Sequence, residues 1–263
     1  MADAPGRILA EKTGSCRMSG KKTRKKVLVT GAGSGLGKEI ALYFAEKGWD
    51  IVCHFNSSAR GARELEGMIR DTGAECRLVK GDFCSPDELD AFIREANKMN
   101  IDSLVNNAGT YNAAKHYSHL TMDDVVATFR VNTYAPLLLS ARLFEGMKKR
   151  RFGRIVSISS IAAKYGGSSK SMHYGCSKRA LEGITRTLAR DGAGSNVLVN
   201  TLRAGVIDTP FHKKYPKDMK KRISMIPVKR MGTPRDIAKL AFFLGSDENE
   251  YVTNEVVTVA GGE

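Results

Sequence analysis

The chain has 263 residues with a hydrophobic share of 42%, enough for one large α/β domain with its own core. No apolar stretch approaches the ~18 residues that span a bilayer, and residues 1–26 lack the apolar middle of a secretory signal, so a cytoplasmic protein with no membrane partner is expected. Net charge is +14, and the five scattered cysteines (Cys16, Cys53, Cys76, Cys84 and Cys176) form no Cys-x-x-Cys pair, which argues against a disulfide framework or a metal site.

Residues 1–26 carry eight basic and two acidic side chains. With three glycines and few bulky apolar residues, positions 1–25 read as a basic flexible tail ahead of a domain from 26 to 263. No aromatic-interleaved patch accompanies the charge, so specific nucleic-acid binding is not expected.

The first predicted strand, 26–30, contains Val27-Leu28-Val29 and runs into Thr30-Gly31-Ala32-Gly33-Ser34-Gly35-Leu36-Gly37. Ile40, Ala41 and Phe44 then fit a helix over 36–47. Strand, glycine-rich turn and helix form a dinucleotide-binding unit, in which the backbone approaches a pyrophosphate seated on the helix N-terminus. The Gly-x-Gly-x-x-Gly fingerprint is not met in full, because Leu36 or Lys38 stands where the third glycine belongs. Further strands are predicted at 50–55, 76–80, 101–106, 153–159, 196–202 and 255–260. Helical patterns fall near 60–72, 86–98, 121–150, 172–191 and 234–245. This alternation predicts a single doubly wound Rossmann domain, a seven-stranded parallel sheet with helices on both faces and its ligand beyond the carboxyl ends of the strands.

In the helix at 172–191, Tyr174 and Lys178 stand one turn apart on one face. A phenol titrating near ~10 is a poor proton carrier at neutral pH, and a neighbouring ammonium would bring it toward a useful range. Ser160 lies fourteen residues upstream.

With the glycine turn, Asn106-Asn107-Ala108-Gly109, Val131-Asn132-Thr133, Ile158-Ser159-Ser160 and Tyr174-x-x-x-Lys178 in order, the chain from Lys26 onward resembles the short-chain dehydrogenase/reductase family. The resemblance implies a catalytic set of Asn132, Ser160, Tyr174 and Lys178. Tyr174 would exchange a proton with a substrate oxygen as hydride is transferred. Ser160, chosen over Ser159, would orient that oxygen, Lys178 would lower the phenol pKa and hold ribose hydroxyls, and Asn132 would hold a water. It also implies cofactor contacts from Gly31, Gly33, Ser34, Gly35, Leu36 and Gly37, from Asp82 and Phe83 at the adenine, from Asn107, Ala108 and Gly109, and from Gly205, Ile207 and Thr209. Two departures stand out. Ala204 replaces the usual proline before Gly205, which predicts a looser loop, and the gap from Ser160 to Tyr174 is about one residue longer than usual.

At the end of the second strand Phe55 stands where a carboxylate would select NAD. Asn56, Ser57, Ser58 and Arg60 instead offer donors suited to a 2′-phosphate, so NADP(H) is expected over NAD(H). Lys213, Lys214, Lys217, Lys220, Lys221 and Arg222 face one acid, Asp218, in the stretch where the family places its substrate lid. Together with Lys148-Lys149-Arg150-Arg151, these charges would suit an anionic carrier. The pattern is most similar to 3-oxoacyl-acyl carrier protein reductases of fatty acid biosynthesis, which implies an acyl carrier protein partner and a homotetramer or homodimer. Ser195 stands where those enzymes often carry a basic residue. The alternatives are a reductase of a small ketone, sugar or polyol, and a dinucleotide-sensing protein without turnover.

Overall fold

The computed structural model describes residues 24–111, 115–211 and 218–263. Seven parallel strands form one sheet: β1 (Lys26–Val29), β2 (Asp50–Phe55), β3 (Cys76–Lys80), β4 (Ser103–Asn106), β5 (Gly153–Ser160), β6 (Val197–Ala204) and β7 (Val256–Val259). Their order is β3-β2-β1-β4-β5-β6-β7. The chain therefore walks outward from β1 to β3, then crosses back to place β4 beside β1, opening a crevice at that switch point. Alternation along β1 divides the interior. Val27 and Val29 join one apolar cluster with Ile40, Phe44 and Phe242, while Leu28 joins the other with Phe92, Leu139 and Ile155.

The helices are α1 (Gly35–Glu46), α2 (Ala59–Asp71), α3 (Pro86–Asn97), α4 (Met122–Phe129), α5 (Ala135–Arg150), α6 (Ala162–Tyr165), α7 (Met172–Gly192), α8 (Met219–Met225) and α9 (Pro234–Gly245). Several starts are dictated locally. Ser85 caps α3 ahead of Pro86, and Thr121 and Thr233 form capping boxes with Asp124 and Asp236. The helix predicted across 121–150 is not continuous. A π turn at Arg130–Tyr134 separates α4 from α5 and brings the Asn132 side chain to the backbone of Thr110. The short α6 and α8 carry too few periodic residues to be read from sequence.

Arg154 is the largest fully buried side chain. Its guanidinium donates to the carbonyls of Gly153, Asn196, Ser246 and Asn249 at 2.8–3.1 Å, and the bonds to Ser246 and Asn249 tie β5 to the segment after α9. The Lys148–Arg151 cluster ends α5 rather than presenting a free basic patch. Lys148 pairs with Asp191 at 3.0 Å, Arg150 approaches Asp102 at 3.8 Å, and Arg151 takes a left-handed backbone (φ 54°). At the start of the described chain, Arg24 donates to the Gly73 carbonyl and Lys25 pairs with Asp247 at 2.9 Å. The remainder of the basic N-terminal segment lies outside the described residues.

Candidate active site

The carboxyl ends of β1, β4, β5 and β6 open into a cleft of about 1450 Å³. Apart from Arg60, the residues assigned from sequence to the cofactor line it: Gly31, Gly33, Ser34, Gly35, Leu36 and Gly37, then Asn56, Ser57, Ser58, Asp82, Phe83, Asn107, Ala108 and Gly109, and Tyr174, Lys178, Gly205, Ile207 and Thr209. The turn after β1 is held from two sides. Gly31, at φ +68°, donates its N–H to His54 Nδ1 at 3.1 Å, and His54 Nε2 donates to the Gly81 carbonyl at 3.0 Å. The Thr30 hydroxyl accepts the N–H groups of Asn107 and Ala108 at 3.0 Å each. Asn107 Nδ2 donates to the Thr30 and Gly31 carbonyls at 2.9 and 3.3 Å, so its amide braces the turn from the cleft wall.

Gly37 does the close-packing work that the fingerprint assigns to its third glycine. A Cβ there would stand 2.4 Å from both Gly31 O and Asn107 Nδ2. Ser34 precedes α1 without a side-chain cap, and no acidic residue occupies the first turn. Open N–H groups and a positive helix end thus face the cleft, and the residues present fit a pyrophosphate.

On the ribose side, Ser58 packs directly against Gly33, with Phe55, Asn56 and Ser57 in the same wall. Arg60 does not join them; it is exposed and pairs with Glu64 at 3.0 Å, one turn along α2. Phe83 lines the cleft, but its ring is buried against His54 (centroids 4.0 Å, planes 2° apart) and Phe92.

Ser160 ends β5 and Tyr174 lies in the first turn of α7, and both line the cleft; Ser160 Oγ accepts the Ala162 N–H at 3.2 Å. The intervening α6 and the left-handed Gly166 and Gly167 (φ 82° and 80°) absorb the longer gap. Ser159 turns away, donating to Glu182 Oε1 at 2.9 Å and to the Lys178 carbonyl at 3.3 Å. β6 keeps its ladder with β7 through Ala204. The Ala204 carbonyl accepts the Ile161 N–H at 2.8 Å, and Gly205 N–H donates to Val259 at 2.9 Å.

Lys178 is buried, and its ammonium donates to the Ile158 carbonyl at 2.8 Å. Burial pulls it down to about 8. Burial also pushes the Tyr174 phenol above its ordinary value, against a smaller pull downward from Ser160. Tyr174 thus sits above the ordinary phenol range rather than below it as the Tyr–Lys spacing predicts, burial being the larger effect. Asn132 is fully buried, with Oδ1 accepting Thr110 N–H at 2.8 Å and Nδ2 donating to Thr110 O and Ser177 Oγ at 2.9 and 3.0 Å. Its side chain fastens the β4 exit to α7.

Beyond Tyr174 the wall turns aromatic. Tyr111 lies 5.4 Å from Tyr174 and 6.1 Å from Phe211, centroid to centroid, with Tyr165 and Met225 nearby in the lining. Arg222 of α8 points inward and pairs with the Glu263 carboxylate at 2.6 Å, which removes it from the exposed basic set. Lys220 and Lys221 remain exposed, while Lys213, Lys214 and Lys217 lie outside the described residues.

A family model described as enoyl-(acyl carrier protein) reductase matches residues 31–263. The chain belongs to the short-chain dehydrogenase/reductase family. It is 31% identical over 256 residues to a hydroxynaphthalene reductase-like protein of Metarhizium robertsii, covering 91% of this chain and 95% of that one. To the 3-oxoacyl-[acyl-carrier-protein] reductase of Thermotoga maritima it is 32% identical over 244 residues, covering 90% and 97%. The structure of a 3-oxoacyl (acyl-carrier-protein) reductase from Agrobacterium tumefaciens with NADP bound superposes with a TM-score of 0.83 at 27% identity, covering 91% and 94%. As a short-chain dehydrogenase/reductase, the protein is a nicotinamide-dinucleotide-dependent oxidoreductase.

Thr30 opens the turn read from sequence, but its bonds to Asn107 and Ala108 and the whole part played by His54 were not legible there. A histidine one residue from a strand end gives no hint of its partners until β1 and β3 are laid on either side of it.

Proposed function

We propose that the protein reduces a substrate carbonyl to an alcohol with NADPH, and that the substrate is a 3-oxoacyl thioester presented by an acyl carrier protein. The observation that carries the chemistry is that Ser160 and Tyr174 face the same cleft, with the buried Lys178 one helical turn from Tyr174. A bound nicotinamide supplies the hydride. A carbonyl oxygen entering between the two hydroxyls accepts from both. Tyr174 then gives up its proton as charge builds on that oxygen, and Ser160 holds the oxygen through the transfer. Lys178, close to the reacting phenol, favours the phenolate that remains. Asn132 keeps the Thr110 backbone and α7 in register.

The polar wall of Asn56, Ser57 and Ser58, with no carboxylate at Phe55, supports NADP(H). The relatives named for carrier-bound acyl substrates support the thioester, and the exposed Lys220 and Lys221 beside the cleft support docking of an acidic carrier. A second reading, a flat ring ketone, is favoured by the aromatic wall of Tyr111, Phe211 and Tyr165.

The test is a screen of NADPH and NADH oxidation over 3-oxoacyl thioesters, ring ketones and sugars, run on the wild type and on Tyr174→Phe. Turnover of the best substrate should fall by at least ~10²-fold in the variant with NADPH binding retained. A ring ketone outrunning every thioester would move the second reading to first place. Near-normal turnover by Tyr174→Phe would remove Tyr174 as the acid.

A further inference from the structure

Cys53 of β2 and Cys76 of β3 sit on neighbouring parallel strands at one edge of the sheet. Cys76 lies opposite Ile51, two residues before Cys53, so both side chains leave the same face as diagonal neighbours. Their sulfurs are 3.7 Å apart and share a hydrogen bond. Both are free thiols; Cys53 is fully buried and Cys76, on the edge strand, is half-buried. Neither lines the cleft, but the residue after Cys53 is His54, whose ring holds Gly31 N–H and Gly81 O, and Phe55 to Ser58 follow it into the ribose wall.

We propose that Cys53 and Cys76 form a peroxide-responsive dithiol whose closure to a disulfide weakens dinucleotide binding, a proposal that rests on the cofactor site described above. As thiols, Cys76 donates to Cys53; once Cys76 loses its proton the Cys53 S–H can turn to the thiolate, which holds Cys76 below its usual range, with Arg70 adding to the effect, so Cys76 supplies the thiolate. That thiolate attacks hydrogen peroxide, breaking the O–O bond and giving a Cys76 sulfenic acid and hydroxide, which takes up the proton Cys76 lost. The Cys53 sulfur then displaces water from the sulfenic acid as the S–S bond forms. Two thiols are oxidised and one peroxide is reduced to two waters. A disulfide requires roughly 2.05 Å between sulfurs, so the pair must close from 3.7 Å. That shift falls one residue from the histidine bracing the phosphate turn.

Reduced wild-type protein treated with hydrogen peroxide should yield a Cys53–Cys76 linked peptide on mass mapping, reversed by dithiothreitol. NADPH affinity of the linked protein should fall about tenfold and recover on reduction. By reciprocity, saturating NADPH should lower the equilibrium constant for linkage by the same factor in a dithiothreitol redox titration. Cys76→Ala should bind NADPH equally before and after peroxide. Absence of the link, or a link with unchanged affinity, overturns the proposal. So does a Cys76→Ala protein that loses affinity as the wild type does, which would place the effect on Cys84 in the cleft lining. Linkage is read by mass without cofactor. A chain that binds no dinucleotide therefore fails the cofactor reading, while the dithiol stands or falls on the map.

Discussion

His54 shows how one buried side chain ties electrostatics to the nucleotide turn. It accepts from Gly31 at Nδ1 and donates to Gly81 from Nε2, so only the neutral ring makes both bonds. Burial lowers it to about 4. Because the folded pKa lies below the unfolded ~6.5, the unfolded chain binds the extra proton first. The stability this ring contributes is present above about pH 6.5 and is lost as pH falls from there toward 4, by about 3 kcal/mol. Urea unfolding of wild type and His54→Gln at pH 7.5 and 4.5 should show a smaller loss between the two pH values in the variant. Equal losses would mean that other groups govern the acid limb.

At the scale of elements, α7 carries the chemistry and α6 sets its distance from β5. A Cβ on Gly175 would stand 2.7 Å from the Gly166 carbonyl oxygen and 3.1 Å from that of Ala162, whereas one on Gly183, further along the same helix, would meet nothing within 4 Å. Gly→Ala inside a helix gains up to about 1 kcal/mol of propensity when nothing intervenes. Gly183→Ala should therefore stabilise by that order and leave kinetics unchanged. Gly175→Ala should destabilise by about 1–3 kcal/mol through overpacking. It should also lower kcat more than it raises the NADPH KM, because separating α6 from α7 moves Tyr174 relative to Ser160. Denaturation curves and steady-state kinetics on both variants decide it, and matching behaviour of the pair would refute the account. The π turn at Arg130–Tyr134 is the other element-scale device: it turns Asn132 inward to Thr110 and Ser177, while the Thr133 hydroxyl donates to the Ser177 carbonyl at 3.0 Å.

For the whole molecule, the two faces of the cleft pose separate questions. Phe55→Asp introduces a carboxylate where Asn56 to Ser58 face the ribose, and should shift cofactor preference toward NADH by about 1–2 kcal/mol. Calorimetry with both dinucleotides measures it, and NADH binding the unmodified protein as tightly as NADPH would refute the preference. Around the substrate mouth, Lys220 and Lys221 are screened over ~8 Å at physiological ionic strength. If they steer an acidic carrier, activity on carrier-bound substrate should fall with salt while activity on a small neutral ketone holds. Lys220→Gln with Lys221→Gln should raise the KM for the carrier form alone. Parallel salt profiles for both substrates would remove the carrier from the proposal.

Local order was legible from the sequence because it depends on near neighbours. β-branched runs, glycine turns and 3.6-residue periodicity marked seven strands, the doubly wound topology and the fingerprint residues within a few positions of where they lie. The order of Asn, Ser and Tyr-x-x-x-Lys named the residues that line or back the cleft. What those residues touch was decided only by tertiary structure. Asn132 is bonded to Thr110 and Ser177, Arg60 turns to Glu64, Arg222 turns in to Glu263, and burial holds the Tyr174 phenol above its ordinary range. The glycine turn depends on Thr30 and His54, joined to residues 23 to 78 positions away. Hydrogen bonds and burial of this kind come from strands distant in sequence lying 4.7–4.9 Å apart in the sheet, and no window of the chain contains both partners.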